Sequence, residues 1–497
     1  MSQSHAEGRK SPASKLPPGR IEEGFVDQKP LYSQAEAVAE AHRCLYCSDA
    51  PCIKACPTAI DVPSFIRKIA TENVKGAART ILNANLLGWS CARVCPVEVL
   101  CSGACVYTPW GRQPIRIGRL QRFAVETMLQ LETPQQPEAT PEPTTTTRLG
   151  AMPEPTTTPE RNSTPEHEHR LLTARPATGR KIALVGAGPA SLAAAGWLAL
   201  EGHACAIYEQ KTIPGGLNTH GIAPYKMKEA EALHEIDWIL TLGDIRLRVG
   251  VEVVEKVAKT GQIAAADLLA THDAVFLALG LGADSWLRIP GEDGEGVIGA
   301  TILIDRLKTD PSLKLAGVKR AVVIGGGNTA LDALHELSLL GIETTLVYRR
   351  SEAEMPGYAH ELSAARLDGG RFVQGRAPVE IVRTSGRVSG VRIVKAVKGK
   401  PVAGETPEFL PCDLVVVAIG QSKASAVALA FPGVELDQDG RVVVDPATHR
   451  TGNPRVWAGG DCVNGGLEVV NAAAEAKVAA RDISAVLAGI SPAPAGR

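Results

Sequence analysis

Eight of the eleven cysteines fall between Cys44 and Cys105, in two groups. Cys44, Cys47, Cys52 and Cys56, followed by Pro57, read C-x2-C-x4-C-x3-C-P, while Cys91, Cys95, Cys101 and Cys105 read C-x3-C-P-x4-C-x3-C. Closely spaced thiolates closing on Cys-Pro suit iron–sulfur clusters, which need several soft sulfur donors converging on one inorganic cube. Structural zinc commonly takes paired C-x2-C knuckles, and only one such knuckle is present. A disulfide framework needs an oxidising compartment, and the opening MSQSHAEGRK lacks the apolar stretch of a signal peptide. The spacing points to clusters, which carry single electrons.

Two glycine-rich turns add a second chemistry. KIALVGAGPASLAAAGWLAL reads as strand, turn and helix, with Gly186, Gly188 and Ser191 in the pattern G-x-G-x-x-(G/A/S). The first glycine permits a tight turn, the second lets backbone approach a pyrophosphate at the helix N-terminus, and a small third residue allows close helix–strand packing. The next strand, ACAIYE, ends at Glu209, in position to accept hydrogen bonds from an adenosine ribose. AVVIGGGNTALDALHELSLLG repeats the design about 140 residues later, with Gly325, Gly327 and Ala330. Its next strand, TTLVYRR, ends in Arg349 and Arg350 where an NAD site would carry an acid. Two guanidiniums there suit a 2′-phosphate and favour NADPH over NADH; the alternative is that they face solvent or pair with Glu352 and Glu354. DAVFLALG (273–280) and DLVVVAIG (413–420) each end a strand in a small-residue turn, as does the closing strand of a dinucleotide-binding half. Asp461 follows the glycine turn of WAGGD and precedes a helical stretch at 468–480, a placement suited to holding the ribitol of FAD.

These residues need elements to position them. A chain of 497 residues suggests about three domains, and 44% hydrophobic content with 49 glycines suits an α/β protein. The net charge of −1 gives no reason to expect nucleic acid or an anionic membrane as partner. No apolar run approaches membrane-span length, so a soluble cytoplasmic protein is expected. Residues 1–30, polar and rich in Pro and Gly, should lie extended. Helical patterns at 33–42, 62–84 and 119–131 surround the cysteines and predict a small α domain with a partly inorganic core. Pro-Glu-Pro-Thr-Thr-Thr occurs at 141–146 and again at 153–158, in a stretch too poor in apolar groups to fold and expected to be a flexible linker.

Residues 180–490 resemble the two-dinucleotide-binding flavoproteins, in which an NAD(P) domain is inserted in an FAD domain. Thioredoxin reductases share that fold but need a redox-active dithiol, and Cys205, Cys412 and Cys462 never form C-x-x-C. With RCLYCSDAPCIKACPTAIDVPSFI, LLGWSCARVCPVEVLCSGACV and PIRIGRLQRFA added, the chain resembles the dihydropyrimidine dehydrogenase family: the N-terminal half of the full-length enzyme, and the separate flavin/iron–sulfur subunit of the bacterial one. The small subunit of glutamate synthase is a more distant likeness. The fold implied is α/β, a two-dinucleotide-binding-domain flavoprotein preceded by a small α-helical bis-[4Fe–4S] domain. Its expected parts are an iron–sulfur domain with extended N-terminus (1–131), a Pro/Thr-rich linker (132–175), an FAD-binding domain in two pieces (176–300 and 423–490), an NAD(P)H-binding domain (301–422) and a tail (491–497).

The resemblance implies crossed ligation. Cys44, Cys47, Cys52 and Cys105 would hold one [4Fe–4S] cluster; Cys56, Cys95, Cys101 and the amide oxygen of Gln121 would hold the other, leaving Cys91 spare. A neutral amide in place of a thiolate should raise the cluster's potential. The ordinary alternative for Gln121 is an exposed helix residue. For FAD the matching positions are Gly186, Gly188, Ala190, Ser191, Glu209, Gly216, Leu217, Lys226, Val253, Gly460, Asp461, Glu468 and Val469. For the nicotinamide cofactor, NADPH with NADH as the alternative, they are Gly325, Gly327, Asn328, Thr329, Arg349, Arg350, Ile419 and Gly420. One departure is that the human-type enzymes carry a further basic residue shortly after the arginine pair, where this chain reads SEAEMPGY.

The implied reaction takes hydride from NAD(P)H onto FAD and sends single electrons through the clusters. No protein acid, base or nucleophile is expected, because hydride passes directly between stacked rings. The FMN barrel that reduces the pyrimidine in the full-length enzyme has no counterpart in these residues. The acceptor is therefore expected on a partner: an FMN-containing catalytic subunit or another large reductase subunit, in a hetero-oligomer. A glutamate synthase, a ferredoxin transhydrogenase or a formate dehydrogenase is the alternative destination.

Overall fold

The computed structural model describes residues 16–132 and 170–490. The tail at 491–497 and nearly all of the linker expected at 132–175 lie outside the described residues.

The cysteines sit among short, well-capped helices. Gln34–Ala41 starts at a capping box in which Ser33 and Glu36 exchange hydrogen bonds. The pattern at 62–84 is two helices rather than one, Val62–Ala70 and Val74–Leu82. The chain turns between them at Glu72 (φ 58°), and the Asn73 side chain then accepts from the Gly76 amide at 2.8 Å. A local side-chain cap has overridden a continuous apolar periodicity. Both helices bury their apolar faces completely, including Phe65, Ile66, Ile69, Ile81 and Leu82, under the long helix Ile117–Glu132. Gly88–Val94 carries Cys91.

Two five-stranded parallel sheets follow. The first runs in the order Val456–Ala458, Ala274–Leu277, Lys181–Val185, Ala204–Glu209, Ile245–Val249. The second runs Arg371–Gln374, Glu343–Tyr348, Arg320–Gly325, Leu414–Ala418, Val297–Gly299. Their central strands are buried almost throughout, as strands covered on both faces must be. The chain leaves the first domain through Leu281–Asp284 and returns through Gln421–Lys423, which pair antiparallel, so the second domain is nested in the first. The expected boundary at 300 falls after the second sheet's edge strand, Val297–Gly299. Antiparallel strands Arg376–Thr384, Arg387–Val397 and Glu408–Pro411, unforeseen from the sequence, extend the nested domain.

The cysteine-rich region is not a separate bead. One buried apolar cluster runs from Phe65 and Leu86 into Leu198 and Ile239 of the first dinucleotide domain. A Cβ at Gly196 would stand 2.6 Å from the Leu86 side chain, so only glycine lets the helix Pro189–Leu200 approach so closely. The N-terminal segment is also more than an extended tail. It forms a turn at Ile21–Gly24, buries Glu22 against the amide of Glu229 (3.0 Å) and packs Phe25 with Ala223 and Tyr225.

Candidate cofactor sites

All eleven cysteines are unpaired. The chain folds so that Cys105 joins the first group and Cys56 joins the second. Cys44 is held above its ordinary range by burial and then by Cys47 and Cys105; Cys52 is pushed up to about 11 by burial, then by Cys44, Cys105 and Cys47. Cys101 is pushed up to about 12 by burial, then by Cys56. Cys95 is raised by a hydrogen bond with Cys91, by burial, and by the charges of Cys91, Cys101 and Cys56. Thiols crowded and desolvated in this way give up their protons only to a cationic centre, which is the chemistry of a metal cluster.

Gln121 is buried, at 7% exposure, unlike an ordinary surface helix residue. Its Nε2 donates to the Gly88 carbonyl at 2.7 Å, leaving the amide oxygen as the end able to ligate. Cys91 is buried against Cys95 and accepts from Asn85 Nδ2 at 3.1 Å.

At the first glycine turn, Gly186 has φ 93°, and a Cβ there would stand 2.4 Å from the Ala278 carbonyl oxygen. Gly188 caps the helix Pro189–Leu200. A Cβ on Gly188 would meet nothing nearer than 3.9 Å, so the space before the helix is open, as a pyrophosphate requires. Gly216 closes on Gly188 from the far side, since its own Cβ would come within 2.8 Å of the Gly188 Cα. Glu209 is fixed at the strand end, accepting from the amides of Ala187 and Lys211, both at 2.8 Å. Ala190 lies against Gly460, Ser191 is fully buried in the helix, and Val253 is buried in Glu252–Val254. Leu217 is partly exposed and opens a short helix, Leu217–His220. Asp461 opens Asp461–Asn464 and is pushed up to about 6 by burial.

The second turn repeats this arrangement. Gly325 abuts the Ala418 carbonyl, Gly327 caps Asn328–Leu339 with open space beside it, and Ile419 and Gly420 follow the adjacent strand. Thr329 lies in the first turn of that helix. Arg349 and Arg350 are exposed; of the two nearby acids, Glu352 is engaged elsewhere, while Glu354 acts electrostatically on Arg350. Glu352 pairs with Arg366 at 2.8 Å, and Glu354 caps Ser351.

The two sites meet through Glu468, the cap of Val469–Leu487. Its Oε1 accepts from Tyr358 Oη at 2.8 Å and from Asn328 Nδ2 at 3.5 Å, while Asn328 Oδ1 accepts from the Tyr358 amide at 3.0 Å. Tyr358 is pushed up to about 12 by burial and by Glu468, and also feels the Cys95 charge. A cavity of about 260 Å³ opens beside this junction, lined by Lys29, Arg93, Cys95, Lys226, His360 and Glu361 among others.

Lys226, expected at the FAD site, joins the two domains by ion pairs. Lys226 Nζ pairs with Asp332 (2.7 Å) and Glu361 (2.8 Å), both on helices of the nested domain. Three residues escaped sequence reasoning. Tyr358 closes the SEAEMPGY stretch and Lys308 lies in the helix Ala300–Thr309, and neither position is marked by a motif. Lys308 is fully buried, and its ammonium donates to the carbonyls of Asn218 (3.1 Å), Ile222 (3.0 Å) and Met227 (3.0 Å). Glu235, also buried, accepts from the amides of Trp89 (2.9 Å) and Ser90 (3.2 Å) at the start of the helix carrying Cys91. Ser90 Oγ in turn accepts from Asn218 Nδ2 at 3.1 Å, tying the cysteine domain to the loop after Gly216.

Residues 20–133 match the family profile described as dihydropyrimidine dehydrogenase domain II, 4Fe-4S cluster, and residues 180–476 match that of the pyridine nucleotide-disulphide oxidoreductases. The second match spans more than half of the chain. The chain belongs to the pyridine nucleotide-disulphide oxidoreductase family. Among its relatives, the glutamate synthase [NADPH] small chain of Escherichia coli is 31% identical, over 92% of this chain and 93% of that one. The NAD-dependent dihydropyrimidine dehydrogenase subunit PreT of Salmonella typhimurium is 30% identical, over 93% and 97%. The NADP(+)-dependent formate dehydrogenase subunit beta of Moorella thermoacetica is 33% identical over 88% of this chain, which spans 60% of that longer relative. This member of the family is an FAD- and NAD(P)-dependent iron–sulfur oxidoreductase subunit of the type those relatives represent, with the α/β architecture and cofactor set the sequence implied. Its three remaining cysteines, Cys205, Cys412 and Cys462, are each buried. Among the described residues no helix is long and apolar enough to cross a membrane.

Proposed function

We propose that this chain is the electron-input subunit of a larger reductase, drawing on NADPH and delivering single electrons to a partner. The observation that carries the reading is the junction at Glu468, where the capping residue of the FAD-side helix binds both Asn328 of the second glycine turn and Tyr358, and Tyr358 in turn feels the charge of Cys95. FAD, when bound, accepts an electron pair and releases it singly, which is why such a module needs both a flavin and clusters.

The chain's own residues divide that work. Gly186, Gly188 and the Pro189–Leu200 helix receive the FAD pyrophosphate, Glu209 its adenosine ribose and Asp461 its ribitol. Gly325, Gly327, Asn328 and Thr329 do the same for the nicotinamide cofactor, with Arg349 and Arg350 taking a 2′-phosphate. Cys56, Cys95, Cys101 and Gln121 hold the cluster nearer the dinucleotides: Tyr358 feels the Cys95 charge, and Lys477 of the helix Val469–Leu487, lowered by burial and then by Arg481, feels the opposing pull of Cys56. Cys44, Cys47, Cys52 and Cys105 hold the outer one.

The first reading of the partner is an FMN-barrel dihydropyrimidine dehydrogenase subunit, on the cysteine signature. The second is a glutamate synthase large subunit. It is favoured by the two exposed arginines, which suit NADPH, and by a relative of that name described as NADPH-dependent. Reconstitution separates them. The isolated chain should oxidise NADPH with ferricyanide but reduce neither uracil nor thymine. Addition of an FMN-barrel subunit should confer pyrimidine reduction. Activity only with a glutamate synthase large subunit moves the assignment to the second reading, and pyrimidine reduction by the isolated chain overturns both.

A further inference from the structure

Arg349 and Arg350 do not stand alone at the end of their strand. The Arg350 carbonyl accepts from the Gly375 amide at 3.0 Å, and the Gly375 carbonyl accepts from the Ala396 amide at 2.8 Å. This ladder carries the strand Arg387–Val397 up to the arginine pair. Val397 pairs with Lys400, so Lys398 and Gly399 form a two-residue hairpin turn, both with positive φ (50° and 76°). A Cβ on Gly399 would stand 3.1 Å from Nε of Arg350 and 3.5 Å from Nε of Arg349. The turn therefore lies directly against both guanidinium stems. Gly399 is buried there, while Lys398 and Lys400 on either side of it remain exposed.

Most acids around this patch are paired with other cations, and Glu354, capped by Ser351, is the one that acts on Arg350. Glu352 is bound to Arg366, Glu354 to Ser351, Glu408 to Arg376 (2.9 Å) and Glu380 to Arg392 (2.7 Å). Four cations, Arg349, Arg350, Lys398 and Lys400, thus crowd one strand end. That end follows the second glycine turn, where the adenosine ribose of a dinucleotide is recognised. Four cations with Glu354 as a nearby carboxylate are held together at a cost, which a dianionic ligand would offset.

We infer that Lys398, presented by the hairpin tip, is a specificity-determining residue for the 2′-phosphate of NADPH. It supplies from a distant segment the additional positive charge that SEAEMPGY, directly after the arginines, does not provide. The inference rests on the NADPH reading and adds to it a residue some 50 positions further along the chain.

The test is calorimetric titration of the cofactor-loaded protein with adenosine 2′,5′-bisphosphate and with 5′-AMP. Lys398→Asn is the informative variant, since asparagine tolerates the left-handed turn and removes only the charge. The wild-type protein should bind the bisphosphate more tightly than AMP. Lys398→Asn should weaken the bisphosphate about tenfold and leave AMP unchanged, and Lys398→Arg should behave as wild type. The tenfold difference should shrink at about 1 M salt, where exposed charges are screened. If the wild type discriminates and Lys398→Asn loses nothing, or loses both nucleotides alike, the inference fails while the NADPH reading stands. If the wild type does not discriminate, the NADPH reading falls and the inference with it.

Discussion

The carboxylate of Glu468 accepts a 2.8 Å hydrogen bond from the hydroxyl of Tyr358, joining the helix that closes the first dinucleotide domain to the segment that follows the second domain's arginine pair. Burial raises the Glu468 carboxyl, and this bond is the first influence that opposes the rise. Tyr358→Phe should therefore leave Glu468 with only the longer contact from Asn328. A hydrogen bond to a charged group is worth about 1.5–3 kcal/mol. Stopped-flow measurement at the flavin absorbance should find reduction by NADPH slowed about tenfold, with FAD content unchanged. Loss of FAD with an unaltered rate would assign the contact to flavin retention alone.

Lys308 reaches from the nested domain to hold the loop between Asn218 and Met227 by three carbonyls. Lys308→Met should leave those carbonyls without a donor, at a cost of about 3 kcal/mol or more in total. The midpoint for FAD release on heating, followed by flavin fluorescence, should fall by several degrees. An unchanged midpoint would mean that water replaces the ammonium without loss.

Glu235 gives a dependence on pH. Burial pushes it up to about 7, despite hydrogen bonds from Ser90 and Trp89 that favour its charged form. The folded protein thus holds a proton that the unfolded chain, with an ordinary glutamate near 4.3, has released. Stability from this group is complete below the ordinary value and declines as pH rises toward 7, by up to about 1.4 kcal/mol per pH unit. Glu235→Gln should flatten that slope. Thermal midpoints of the anaerobic protein between pH 5 and 7 provide the check, and an identical slope in the variant would refute it.

Anaerobic iron analysis tests the crossed cysteine groups. The wild type should carry about eight irons per chain, as two four-iron cubes require. Cys105→Ala should lose about four of them, because Cys105 lies with Cys44 and Cys52. Cys91→Ala should lose none. Loss of four irons from Cys91→Ala would restore the simple grouping by sequence proximity.

Much of this is legible in the amino-acid sequence itself. The glycine turns show because backbone approach to a pyrophosphate tolerates so few residue types, and Gly186 and Gly325 carry that restriction in their positive φ. The cysteine spacing gave the metal chemistry but not its partition, which depends on a chain reversal bringing Cys105 back to Cys44. Lys308 was invisible because a buried lysine with three carbonyl partners has the same local sequence as an exposed one. The ion pairs of Lys226 are equally hidden in the sequence, since only the tertiary structure brings Asp332 and Glu361 to it. The hairpin behind Lys398 and the turn at Glu72 likewise depend on cross-strand register and side-chain capping, which periodicity does not encode.

The most direct measurement compares two activities of Cys105→Ala. Once a partner subunit that supports turnover is in hand, the variant should retain NADPH-dependent ferricyanide reduction, since both dinucleotide sites remain intact. Its partner-dependent turnover should be lost with the outer cluster. Partner-dependent turnover at the wild-type rate in a protein lacking four irons would contradict a path through both clusters, and with it the reading of this chain as a module that passes electrons outward through its cysteine domain.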